Sequence, residues 1–152
     1  EISDLVVENK TDLSKPIIES YAFTDDKHVE VINDKIYFAP LLFDALSENP
    51  FKSEKREYPI DYSFPYTDKY ILNYNLPDGY EIESMPASIN MKLGENLGAF
   101  KYLLNKGENN VQVIVQFDIN TPIISPDYYE DVKMFYQKMI EKQQQKIVLI
   151  KK

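Results

Sequence analysis

Apolar and polar residues alternate along most of this chain with a period of two, the pattern of strands buried on one face. The clearest run sets Val111, Val113, Val115, Phe117 and Ile119 against Gln112, Gln116, Asp118 and Asn120. Tyr70, Leu72, Tyr74 and Leu76 form a second run, with Asn73 and Asn75 directed the other way. Tyr58, Ile60, Tyr62 and Phe64 form a third. From Ile17 to Phe23 apolar residues fall on both faces, so both are expected to be partly covered. Segments 2–8, 29–32 and 36–38 complete an N-terminal set, and 89–93 and 99–104 add short strands on either side of Gly94-Glu95-Asn96. Turn chemistry separates the runs. Pro77-Asp78-Gly79 combines a preset φ with a glycine that tolerates positive φ, and Asn33-Asp34-Lys35 and Lys106-Gly107-Glu108-Asn109 are further turns. Many short strands at near-regular spacing predict a mainly β fold, an antiparallel β-sandwich.

The period changes after Ser125. Ser125, Pro126 and Asp127 read as an N-cap, a first-turn proline and an acid that suits the helix dipole. Tyr128, Val132, Phe135, Tyr136, Met139 and Ile140 then fall at helical spacing, which predicts one amphipathic helix lying against the sheet. Gln143-Gln144-Gln145 are expected to fray its end, and Ile147–Ile150 read as a short final strand. Alternation also lapses from Asp44 to Glu57, where a charged, Pro-containing stretch reads as a long loop. The expected organisation is one domain over 1–152: N-terminal strands 1–43, a loop 44–57, main antiparallel strands 58–124, the helix 125–145 and a last strand 146–150. A separate N-terminal unit of about 50 residues would be marginal alone.

Composition narrows the chemistry. The 152 residues carry 25 acidic and 17 basic side chains, a net charge of −8, one histidine and no cysteine. No Cys-His nucleophile, Cys/His zinc site or internal disulfide can be built from such a set. A Ser-His-Asp triad would have to use His28. The acidic balance, with Arg56 the only arginine, argues against a nucleic-acid or anionic-membrane surface. No apolar run approaches the ~18 residues of a bilayer span. The sequence opens on Glu1 without a basic-then-apolar leader, which reads as a mature or excised form. Absence of cysteine is compatible with an oxidising or a reducing compartment.

Each candidate group has a plainer reading beside it. His28, next to Asp25, Asp26 and Lys27, has the composition of a carboxylate-paired acid–base group; a solvent-exposed turn residue is the preferred reading. Asp25-Asp26 and the trio Asp127, Glu130 and Asp131 are the acidic clusters closest to a calcium site, but neither follows a calcium-loop pattern. Acids are expected in a helix's first turn in any case. No metal or other cofactor is implied. Arg56 suits a structural contact that pins the loop to the sheet. Twelve tyrosines and eight phenylalanines are enough for a sugar-stacking platform, although tryptophan is absent and alternation already assigns most rings to core and cross-strand pairs.

Several landmarks occur in a distinctive order: Tyr37-Phe38-Ala39-Pro40-Leu41-Leu42-Phe43, then Asn49-Pro50-Phe51 through Tyr58-Pro59-Ile60, then Leu76-Pro77-Asp78-Gly79-Tyr80 and Glu83-Ser84-Met85-Pro86. With Tyr128-Tyr129-Glu130, Phe135-Tyr136 and the closing Lys146-Ile147-Val148-Leu149, this order resembles a C-terminal domain of unknown function in bacterial secreted proteins that carry a transglutaminase-like domain. The resemblance covers nearly the whole chain, most firmly from Ile36 onward. It implies an accessory β-module, without catalysis of its own, beside an upstream core whose Cys-His-Asp triad this cysteine-free chain cannot supply. It also implies an exported, periplasmic or cell-envelope setting, and an upstream domain of the same polypeptide as partner. Leu41, Leu42, Phe43, Phe51 and Arg56 are the expected interdomain contacts, exposed in the isolated chain if they serve that role. The alternative is a module that binds a glycan or peptide through tyrosines on an open sheet face.

Overall fold

Alternation becomes twelve strands and one α-helix in the computed structural model, which describes residues 2–152. In chain order these are β1 (Ile2–Glu8), β2 (Ile18–Phe23), β3 (Val29–Ile32), β4 (Lys35–Phe38), β5 (Ile60–Asp61), β6 (Tyr66–Asn75) and β7 (Tyr80–Ser84). They continue with β8 (Ile89–Leu93), β9 (Gly98–Lys106), β10 (Asn110–Ile119), β11 (Ile123–Ile124), helix α1 (Tyr129–Gln143) and β12 (Ile147–Lys151). The fold is mainly β, its strands pair antiparallel, and the late helix is followed by a final strand.

The main sheet has the order β6-β10-β9-β8. On β10, Val111, Val113, Val115, Phe117 and Ile119 are all buried, while Gln112, Ile114, Gln116 and Asp118 on the other face are only half-buried. The pairings Val113↔Leu104, Val115↔Tyr102 and Phe117↔Phe100 continue the buried row onto β9. Each such side chain contributes about 1.5–3 kcal/mol by leaving water. A one-residue slip would turn the whole row outward, so burial also fixes the register. Gly98 opens β9 because a β-carbon there would sit 2.6 Å from the Asp118 carbonyl oxygen.

The inner face of this sheet has a composite cover. A second sheet, ordered β3-β4-β12-β7, meets it where the Phe38 ring lies 5.0 Å from that of Tyr74. Toward the other end of β10, Phe117 instead meets Tyr136 and Phe135 of α1, with ring centroids 5.6 and 6.2 Å apart. The final strand is central to the second sheet, between β4 and β7, with Ile147 and Leu149 buried.

Three local expectations need correction. The run Tyr58–Phe64 pairs only at β5, against β11. Pro59 interrupts it and Pro65 ends it, and Ser63 takes φ 68° while its N–H donates to the Asp61 carboxylate at 2.7 Å, which turns Phe64 out to solvent. The start of the helix also differs. Ser125 caps a 3-10 turn over Pro126–Tyr128, and α-helical geometry begins only at Tyr129. Its end is firmer than a run of glutamines suggests, since Gln143 is buried and its side-chain oxygen accepts from the Leu46 N–H at 3.0 Å.

The fourth difference is the largest. β1 and β2 pair only with each other, and every residue of both strands is exposed. Among the described residues, the apolar side chains between Ile17 and Phe23 therefore stay largely exposed on both faces, touched by the body only where Phe23 meets Phe43. The buried core begins at Phe38.

Candidate functional site

The β1–β2 hairpin meets the body of the domain at a cluster of rings. Phe23, at the end of β2, lies 5.3 Å edge-on from Phe43, and Tyr21 lies 6.1 Å from Phe23. Phe43 projects from a 3-10 turn over Leu42–Asp44 and is 51% exposed. Leu42 opens that turn at φ 49°, a left-handed conformation that costs a branched side chain roughly 1–2 kcal/mol. The strained turn holds Phe43 outward against the hairpin.

Segment 24–28 joins the hairpin to β3 and closes the site. His28 Nδ1 lies 2.6 Å from Asp25 Oδ2, and the Lys27 N–H donates to Asp25 Oδ1 at 3.0 Å. That backbone N–H, aided by His28, holds the Asp25 carboxyl below its ordinary range. The His28 ring in turn lies 6.2 Å from Phe43. Together these residues line an open groove of about 430 Å³ whose other wall is Ile2 and Tyr21. The imidazole thus orders a tight turn under an apolar surface, an arrangement suited to docking.

The expected contact residues separate into three environments. Leu41 is 2% exposed and belongs to the core, so it is removed from any outer surface. Leu42 is half-buried and Phe43 is exposed at the hairpin groove. Phe51 lies elsewhere, packed edge-on against Tyr129 and Tyr136 at 6.0 and 4.9 Å. It serves to bind the 44–57 segment onto α1, with Asn49 donating to the Lys133 carbonyl at 2.8 Å and Tyr129 donating to the Ser53 carbonyl at 2.9 Å. Arg56 donates to the carbonyls of Tyr58 and Pro59, at 3.0 and 3.3 Å, and so fixes the chain just before β5.

One acid of each candidate cluster is engaged locally. Asp127 accepts from the Ser125 hydroxyl at 2.9 Å, and Asp25 is taken by His28 and Lys27. Among the described residues no three His, Cys, Asp or Glu side chains converge as a metal site. The exposed tyrosines, Tyr21, Tyr58 and Tyr128, come from β2, the segment before β5 and the 3-10 turn before α1. Sequence reasoning missed the hairpin groove itself. Its signal was present, because Leu5, Val6 and Val7 are consecutive and Ile17 and Ile18 adjacent, a density that a strand with one solvent face does not need.

Comparison with known proteins gives two findings. A family described as "Domain of Unknown Function with solved-structure structure" (DUF3858) matches residues 34–149, from the β3–β4 turn into β12. A crystal structure of a "putative protease" from Parabacteroides distasonis ATCC 8503 shares the fold, with a TM-score of 0.54 at 11% identity over 64% of this chain. The chain spans only 19% of the length of that protein. No curated protein matches the chain.

Proposed function

The chain belongs to the DUF3858 family, and on that premise we propose that it is a non-catalytic accessory β-domain that packs on and positions a transglutaminase-like domain of a larger exported polypeptide. The observation that carries this reading is the β1–β2 hairpin, which presents Ile2, Leu5, Val6, Ile17, Tyr21 and Phe23 to solvent. A lone two-stranded hairpin is at best marginally stable in water, and an apolar surface of this kind marks a contact. The hairpin also lies outside the matched family region, which begins at residue 34, so it extends beyond what the family holds in common. Burial of both its faces by a neighbouring domain would form a contact in the usual interdomain range of about 600–1,500 Å². Phe43 and the groove beside it would seat the rim of that contact.

The cysteine-free sequence supports assigning any thiol chemistry to the neighbour. An antibody raised against this domain tests the proposal in the source cells. A denaturing gel should show a polypeptide far larger than the 17.8 kDa of this chain. A native species of about that size would contradict the accessory reading.

A further inference from the structure

Two apolar rows of the second sheet run off its edge at β3. One passes from Ile147 through Phe38 to Val29, the other from Leu149 through Ile36 to Val31. Ile147, Phe38 and Leu149 are buried in the core, but Val29 is 37% exposed and Val31 65%. The rows of the core thus continue onto the last strand and stop there uncovered.

The main chain at this edge is open as well. β3 pairs with β4 alone, across a two-residue turn in which Asn33 takes φ 54°. In such a hairpin the closing pair, Ile32 and Lys35, exchanges both hydrogen bonds, and bonded pairs alternate along the ladder from there. Glu30 and Ile32 therefore bond to β4, while the N–H and C=O of Val29 and Val31 point away from it. No other backbone group among the described residues takes them. Outward groups at alternate residues are the template for an added extended strand. The other outer strands of the two large sheets carry charges that no ion pair answers among the described residues: Asp68 and Lys69 on β6, Glu81 on β7 and Lys92 on β8. Such charges discourage pairing. The charge on β3, Glu30, is answered by Lys146 at 2.8 Å. A second copy of this chain is a poor occupant. Antiparallel pairing of two β3 strands through both valines sets Glu30 opposite Glu30, and like charges directly opposite are destabilising. The hairpin is close by: Phe23 at the end of β2 and His28 just before β3 both meet the Phe43 ring. A domain packed on the hairpin therefore stands beside this edge.

We propose that β3 pairs, through Val29 and Val31, with an uncharged extended segment of the neighbouring domain, whose apolar residues lie opposite the two valines and extend the core rows. This inference rests on the accessory reading and names the main-chain contact that it uses. Amide exchange on the isolated 152-residue chain and on the native polypeptide containing it tests the pairing. In the isolated chain Glu30 and Ile32 should exchange more slowly than Val29 and Val31; in the native polypeptide the two valines should slow about a hundredfold. Val31→Pro removes an N–H that β4 does not use, so the isolated variant should keep its unfolding midpoint. In the native polypeptide the same change should speed exchange at Val29 about tenfold and leave β1 and β2 protected. Val31→Lys, which sets a charge on the edge, serves if the proline variant does not fold. Protection of β1 and β2 with Val29 and Val31 still fast, or full protection of Val29 in a folded variant, would overturn this inference and leave the accessory reading standing. Fast exchange throughout β1, β2 and β3 in the native polypeptide would overturn both.

Discussion

Three tyrosines, Tyr102, Tyr129 and Tyr136, are buried in the core of this fold. Tyr136 packs against Phe51 and Phe117 and shares a 3.3 Å hydroxyl contact with Tyr62, and the Tyr74 hydroxyl donates to the Pro40 carbonyl. Tyr102 is fully buried with a hydroxyl that has no partner among the described residues, and Lys142 of α1 lies above its ring. Burial makes ionisation of such phenols unfavourable. It raises Tyr74 from 10.0 to about 12 and moves Tyr102 and Tyr136 higher still. The sign of the pH dependence follows. Above the ordinary value of 10.0 the unfolded chain releases these protons while the folded chain keeps them, so the folded state binds more protons and stability falls as pH rises. The denaturant midpoint should change little just below that pH and decline steadily toward pH 12, with tyrosinate absorbance rising as the fold is lost. A flat midpoint through this range, or ionisation of every tyrosine near pH 10 in the folded protein, would show that these rings are not enclosed as described.

Among the elements, the β1–β2 hairpin is the one that does not pay its way within this chain. None of its residues joins the core, so removing 2–23 should leave the unfolding free energy of the remaining domain within about 0.5 kcal/mol. A loss well above 1 kcal/mol in chemical denaturation would mean that the hairpin packs on the body more extensively than through Phe23 and Phe43. The rest of the architecture was largely legible from local pattern. β10 and β6 are long, alternate cleanly and pair over their full length, and α1 buries Val132, Phe135, Tyr136, Met139 and Ile140 as expected, with Tyr129 in place of the exposed Tyr128 as the first ring of the stripe. The 58–64 run misled because alternation ignores what Pro59, Pro65 and a positive φ at Ser63 do to a ladder. The contact residues were legible only in part. Leu41 and Phe43 are two residues apart, yet a 3-10 turn sends one into the core and the other to the surface. That turn depends on a left-handed Leu42, a conformation for which leucine gives no sequence signal.

For the whole molecule, the inner face of one sheet is shared between a second sheet and a helix, and an apolar hairpin stands off from both. This asymmetry is what the proposed accessory role would account for: the body has its own buried core, and a neighbour would complete the hairpin. The family match covers 34–149, which includes the buried core and leaves the hairpin outside it. Amide hydrogen exchange on the 152-residue chain and on the native polypeptide containing it tests the claim most directly. In the isolated chain, amides of β9 and β10 should exchange slowly and those of β1 and β2 rapidly; in the native polypeptide β1 and β2 should become as protected as the core. Strong protection of the hairpin in the isolated chain, or none in the native polypeptide, would contradict the account.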